Sequence, residues 1–137
     1  MAQDPKAVVQ RFWDEVWNNR NPAAAEELLA EDFVWQTPSL GTHRGRAPAL
    51  EVLAEIRAAF PDMVLVVEEM IAEGDKVATA WRNTATHRGQ YRSAAPTGQP
   101  VTWAGMSIDR VVDGRIVEHR AFADAKAPGG PHEIATR

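Results

Sequence analysis

From Phe60 to Asp124 the chain reads FPDMVLVVEEMIAEGDKVATAWRNTATHRGQYRSAAPTGQPVTWAGMSIDRVVDGRIVEHRAFAD. Apolar residues recur at every second position over long runs here, which is the period of a pleated strand. Gly74-Asp75 and Asp113-Gly114 fall between such runs, where two-residue hairpin turns need positive φ. The stretch therefore predicts four extended segments in series: residues 63–72, 76–87, 101–112 and 115–124. A loop holding Pro96-Thr97-Gly98 separates the second from the third. Segments joined this way form one long antiparallel sheet, which curves because strands twist.

Working outward, the preceding residues predict three helices to cover that sheet, making an α+β cone with a mouth. Asp4 is placed as an N-cap with Pro5 as first helical residue, and Val8, Val9, Phe12, Trp13, Val16 and Trp17 form an apolar stripe. Asn21-Pro22 repeats the cap and opens a short helix to about Ala30, buried through Leu28 and Leu29. A brief strand follows, with Phe33, Trp35 and Thr37 on one side. Pro38 to Gly45 is expected as a loop carrying His43 and Arg44 over the mouth. The third helix, about Arg46 to Ala59, presents Leu50, Leu53, Ile56 and Phe60 and is stopped by Pro61. In the first sheet strand Met63, Leu65, Val67 and Ile71 share one face and Val64, Val66 and Met70 the other, so both faces are expected to be covered. Beyond Asp124, Pro128-Gly129-Gly130-Pro131 breaks regular structure, giving one domain over residues 1–125 and a tail over 126–137.

The totals restrict function. A net charge of −4 with scattered arginines gives no basis for nucleic-acid binding. The absence of cysteine excludes disulfides and thiolate metal sites, and no apolar run is long enough to span a bilayer. No membrane partner is expected, and cytoplasmic location is the default. His43, His87, His119 and His132 lack ligand spacing, and no dinucleotide or phosphate-loop pattern occurs, so neither metal nor cofactor is expected.

Taken in order, Asp32-Phe33-Val34-Trp35, Arg44-Gly45-Arg46, Phe60-Pro61-Asp62, Ile71 to Ala78, Trp81, Thr86-His87-Arg88-Gly89, Pro96-Thr97-Gly98 and Asp113 to His119 resemble the SnoaL-like polyketide cyclases of the NTF2-like superfamily. The resemblance runs from roughly residue 5 to 125. It implies a cone-shaped, mixed but mostly antiparallel sheet around a pocket, a homodimer, and an intramolecular aldol ring closure on a polyketide-type ester. In that family an aspartate at the end of the last strand is the general acid/base, and Asp124 matches it. Two departures stand out: Arg120 replaces the usual tryptophan after the Glu-His pair, and the leucine-rich segment that commonly follows the aspartate is missing.

The expected site places Ile116, Glu118, Arg120, Phe122 and Asp124 on one face of the last strand, directed into the cone, with Val117, His119, Ala121 and Ala123 opposite. His119 is then directed to a partner subunit or solvent. Asp124 takes the α-proton, and His87, sharing parity with Trp81 and Asn83, holds the enolate oxygen. Trp13, Trp17, Trp35, Phe60, Trp81, Trp103, Met106, Arg120 and Phe122 are the candidates for contact with a hydrophobic, aromatic or polycyclic small molecule. Three rival readings share the cone: an epoxide hydrolase drawing Asp109, Arg120 and Asp124 around a water, an isomerase or dehydratase, and a non-catalytic binding protein.

Overall fold

The computed structural model describes residues 4–137, and Met1 to Gln3 lie outside the described residues. Helix α1 (Pro5–Arg11) begins as the sequence predicts. Asp4 accepts the Lys6 amide at 3.1 Å, and Pro5 occupies a position with no amide to lose. The helix widens at its C-terminal end into a π-helical segment, Phe12–Asn18. Asn21 caps α2 (Pro22–Leu28) by accepting the Ala23 and Ala24 amides. Strand β1 (Leu29–Thr37) follows, then β2 (Gly41–Arg44) and α3 (Arg46–Ala59). Strands β3 (Val64–Glu73), β4 (Lys76–Thr86), β5 (Pro100–Val112) and β6 (Arg115–Ala123) complete the sheet, and α4 (Pro131–Ala135) ends the chain.

The six strands are ordered β2-β1-β6-β5-β4-β3, and only β1 with β6 runs parallel. The four C-terminal strands are joined in antiparallel succession. Asp113 and Gly114, with φ of 52° and 76°, make the tight turn from β5 to β6, and Gly74 supplies the positive φ between β3 and β4. The concave face packs on the N-terminal helices in a single apolar core.

Three expectations need correction. The loop expected over residues 38–45 contains β2, whose Gly41–Arg44 pair with Val34–Thr37 and extend the sheet by a strand. The tail is not free of structure: Pro131 starts α4 just as Pro5 and Pro22 start their helices, and Ala127, His132 and Ile134 are buried. Most consequential are the strand faces. In β3, Val67 pairs with Trp81 but Glu69 with Ala80, so Glu68 is an extra residue that reverses the alternation. Ile71 consequently joins Val64 and Val66 on the exposed side instead of Met63 and Leu65 in the core. In β6, Ile116 pairs with Val111 and Glu118 with Arg110, which makes Val117 the extra residue. Ile116, His119 and Ala121 are therefore all buried, and Phe122 is half exposed.

Strand β5 keeps strict alternation, and Gly105 is its inward position opposite Trp81. A Cβ there would stand 2.8 Å from the Trp81 ring and 2.6 Å from the Phe122 carbonyl oxygen. Since neither the ladder nor a buried indole can give way, Gly105→Ala is expected to destabilise the fold by about 1–3 kcal/mol. Urea unfolding should show a lower midpoint at unchanged slope.

Candidate active site

The π-helical segment decides what the first helix offers the sheet. Its wider turn is marked by the Asn19 amide donating to the Asp14 carbonyl, five residues back, at 2.9 Å. Phe12, Trp13, Val16 and Trp17 are all buried as two adjacent pairs, continuing the stripe that Val8 and Val9 begin. Strand β1 brings Trp35 against Trp17, ring centroids 6.0 Å apart, and β4 and β5 bring Trp81 and Trp103. All five tryptophans thus line one enclosed chamber. Side chains fill it almost completely, leaving about 10 Å³, room for roughly one water-sized atom.

One ionisable pair stands in this aromatic wall. His119 is ringed by Phe12, Trp13, Phe33 and Trp35 at centroid distances of 5.5, 5.6, 6.4 and 5.9 Å. Its Nδ1 lies 2.6 Å from Asp109 Oδ1, and both side chains are essentially inaccessible to solvent. The Val117 bulge places them together: after it, His119 faces inward directly opposite Asp109 of β5. With Asp109 accepting, the proton sits on Nδ1, and Nε2 is the ring nitrogen left to act on a ligand. The expectation that His119 faces a partner or solvent is overturned by this shift of face.

The residues expected beside Asp124 have moved the other way. Met106, Arg120 and Phe122 lie on the convex face, where the Arg120 guanidinium sits 5.7 Å over the Phe122 ring. Asp124 is exposed at the end of β6, its Oδ1 accepting the Lys126 amide at 2.9 Å, beside the open groove that Met106 and Phe122 line. The set needed for epoxide opening is not assembled, because Asp109 is inside the sheet while Arg120 and Asp124 are outside. His87 is buried as its parity with Trp81 and Asn83 suggests, but it stacks on Phe60 at 5.1 Å rather than lining the chamber. Phe60 in turn contacts Trp103 at 5.3 Å, so these two form a layer behind the chamber wall. His43 binds the Leu40 carbonyl through Nε2.

The chamber also contains a residue that sequence reasoning missed. His132 of α4 closes one end, its Nδ1 hydrogen-bonded to Ser39 Oγ. The available signal was Pro131, which has the helix-opening role already recognised at Pro5 and Pro22.

A profile of the SnoaL-like polyketide cyclases matches residues 7–128. The chain belongs to that family. Solved structures of similar proteins show the same architecture. A candidate SnoaL-like polyketide cyclase from Jannaschia sp. CCS1 is 26% identical with a TM-score of 0.78, over 90% of this chain and 91% of that one. IdmH, a candidate polyketide cyclase from Streptomyces antibioticus, is 30% identical with a TM-score of 0.79, over 89% and 93%. AclR from Streptomyces galilaeus, a candidate hydroxylase, is 29% identical with a TM-score of 0.78, over 90% and 80%. No curated protein matches significantly. No helix among the described residues is long and apolar enough to cross a membrane.

Burial pushes the His132 imidazole down from 6.5 to about 4, so the fold holds it neutral. Between those pH values the unfolded chain binds a proton that the folded chain does not. The contribution is complete above pH 6.5 and is lost as pH falls toward 4, about 3 kcal/mol at most. Urea titrations across this range should show His132→Gln lacking that part of the wild-type pH dependence.

Proposed function

We propose that this SnoaL-like protein is a cofactor-independent enzyme that removes a proton from carbon beside a carbonyl and closes a ring, with His119 as the general base and Asp109 as the group that orients it. The observation that carries this reading is the 2.6 Å His119–Asp109 hydrogen bond inside an aromatic chamber. A base must be held in the right tautomer and shielded from water, and a carboxylate behind an imidazole does the first while the tryptophans do the second. Flat aromatic esters suit walls of indole. In the forward step the C–H electron pair becomes an enolate and the proton passes to Nε2. The enolate carbon then attacks a carbonyl of the same molecule, and Nε2 returns the proton to the new alkoxide. No net oxidation or reduction occurs.

Proton-for-deuterium exchange at carbon, followed by NMR with 1,3-dicarbonyl and anthraquinone-type esters, tests this without knowledge of the product. Wild type should exchange, His119→Gln should lose about 100-fold or more, Asp109→Asn should lose less, and Asp124→Asn should stay within a few fold. Loss in Asp124→Asn with retention in His119→Gln would return the base to the strand end. No exchange with esters that demonstrably bind would remove the carbon-acid reading.

The convex face supports a homodimer. Across its strands Ile71, Ala78, Ile108 and Arg120 form one row, and Ala80, Met106 and Phe122 the next. Ile71, Met106, Ile108 and Phe122 of these rows are substantially exposed, as are Val64, Val66 and Val112 farther along the strands, apolar surface of the kind that associates. The Arg82–Glu68 and Arg110–Glu118 ion pairs add charges of both signs, which suits a two-fold contact of like with like. Analytical ultracentrifugation should find a dimer at micromolar concentration and a folded monomer for Phe122→Glu.

A further inference from the structure

Four of the five tryptophans of the chamber divide into two kinds. Trp13 and Trp81 donate their indole N–H groups to Thr79 Oγ1 at 3.3 Å and Ser107 Oγ at 2.7 Å, so the sheet supplies each with a partner. Trp17 and Trp35 are 93 to 95% buried, and their Nε1–H groups have no acceptor among the described residues. A buried donor without a partner is costly to the fold, and the same sheet does supply partners to Trp13 and Trp81. The two indoles that carry these donors are neighbours, packed edge to face. Their rings are 6.0 Å apart, and the Trp35 ring is 5.9 Å from that of His119. Both rings line the same chamber as His119, which their side chains help to fill almost completely.

We infer that the indole N–H groups of Trp17 and Trp35 form an oxyanion site, which holds the enolate oxygen of a carbon acid while His119 holds its proton. This rests on the carbon-acid reading for its reaction and on the unpaired donors for its geometry. A neutral carbonyl gains little from two N–H donors that water would also supply. An enolate oxygen gains much more, because a charged acceptor strengthens each bond and the surroundings exclude water. The charge that appears on oxygen as the C–H bond breaks is met by these donors, and the proton that leaves carbon is met by Nε2. The energy withheld from the empty fold is recovered in the state where the charge is present. His87, the oxygen-holding group expected from the sequence, stands outside the chamber wall and does not compete for this role.

The test uses 4-nitrophenol as the oxyanion probe and nitrobenzene as its neutral counterpart, with wild type, Trp17→Phe and Trp35→Phe. Absorbance titrations should show wild type binding the phenolate about tenfold or more tightly than the phenol, and each substitution should reduce that preference about tenfold. Nitrobenzene affinity should change far less. Independently of any variant, the Trp17 and Trp35 indole protons in ¹H–¹⁵N spectra should move downfield with the phenolate and not with nitrobenzene. Equal affinity of wild type for phenol and phenolate, or indole signals that do not respond, would overturn the oxyanion site. The deuterium exchange of wild type judges the reaction separately. Exchange that both Phe variants retain in full removes the donors and leaves the base. A phenolate preference lost in the variants, without exchange in wild type, keeps the oxyanion site and removes the proposed reaction.

Discussion

An ionisable side chain enclosed by four aromatic rings persists in a folded protein when a partner meets it inside, and Asp109 meets His119 at 2.6 Å. Much of the architecture converges on that bond. It needs β5 and β6 in a register that sets the two residues opposite each other, and it needs the Val117 bulge to turn His119 inward. It also needs Phe12 and Trp13 of the π-helical segment to close over the imidazole. Elements distant in sequence are thus held to one geometry by a buried polar contact, with the Trp13–Thr79 and Trp81–Ser107 hydrogen bonds beside it in a mostly apolar interior.

The bulges also divide the sheet into two surfaces of different character. The concave side carries the indoles, the His119–Asp109 pair and His132, all shielded from water. The convex side carries Met106, Ile108, Phe122 and Arg120, a surface suited to contact with another molecule of similar character. Asp124 falls at the boundary of the convex groove, so the residue matched by family resemblance and the polar pair selected by burial lie on opposite sides of one β-sheet.

Much of the fold was legible because its signals are local. Proline after a capping residue marked Pro5 and Pro22, and the two turns with positive φ marked the hairpins. The inward parity of Trp81, Asn83 and His87 also held, since β4 has no extra residue. The site was less legible for one physical reason. A bulge leaves no mark in composition, yet it reverses every side chain beyond it. Alternation counted from Ile116 placed Arg120, Phe122 and Asp124 inside and His119 outside, and one unpaired residue at Val117 undid all four assignments. The buried helix after the Gly-Gly pair was hidden differently. Glycine and proline mark where a chain turns, whereas the packing of His132 and Ile134 holds the final helix against the core.

The near-complete filling of the chamber has a kinetic meaning. The ring system of the proposed reaction needs a volume that the indoles occupy in this conformation, so its binding would draw on a population in which they have moved aside. The observed affinity is then the intrinsic affinity diminished by the fraction of molecules open at any moment. Where opening precedes capture and is the slower event, association approaches a ceiling set by the protein as ligand concentration rises. For such a molecule, substitutions that loosen the aromatic wall alter how fast ligands arrive before they alter what the site does with them.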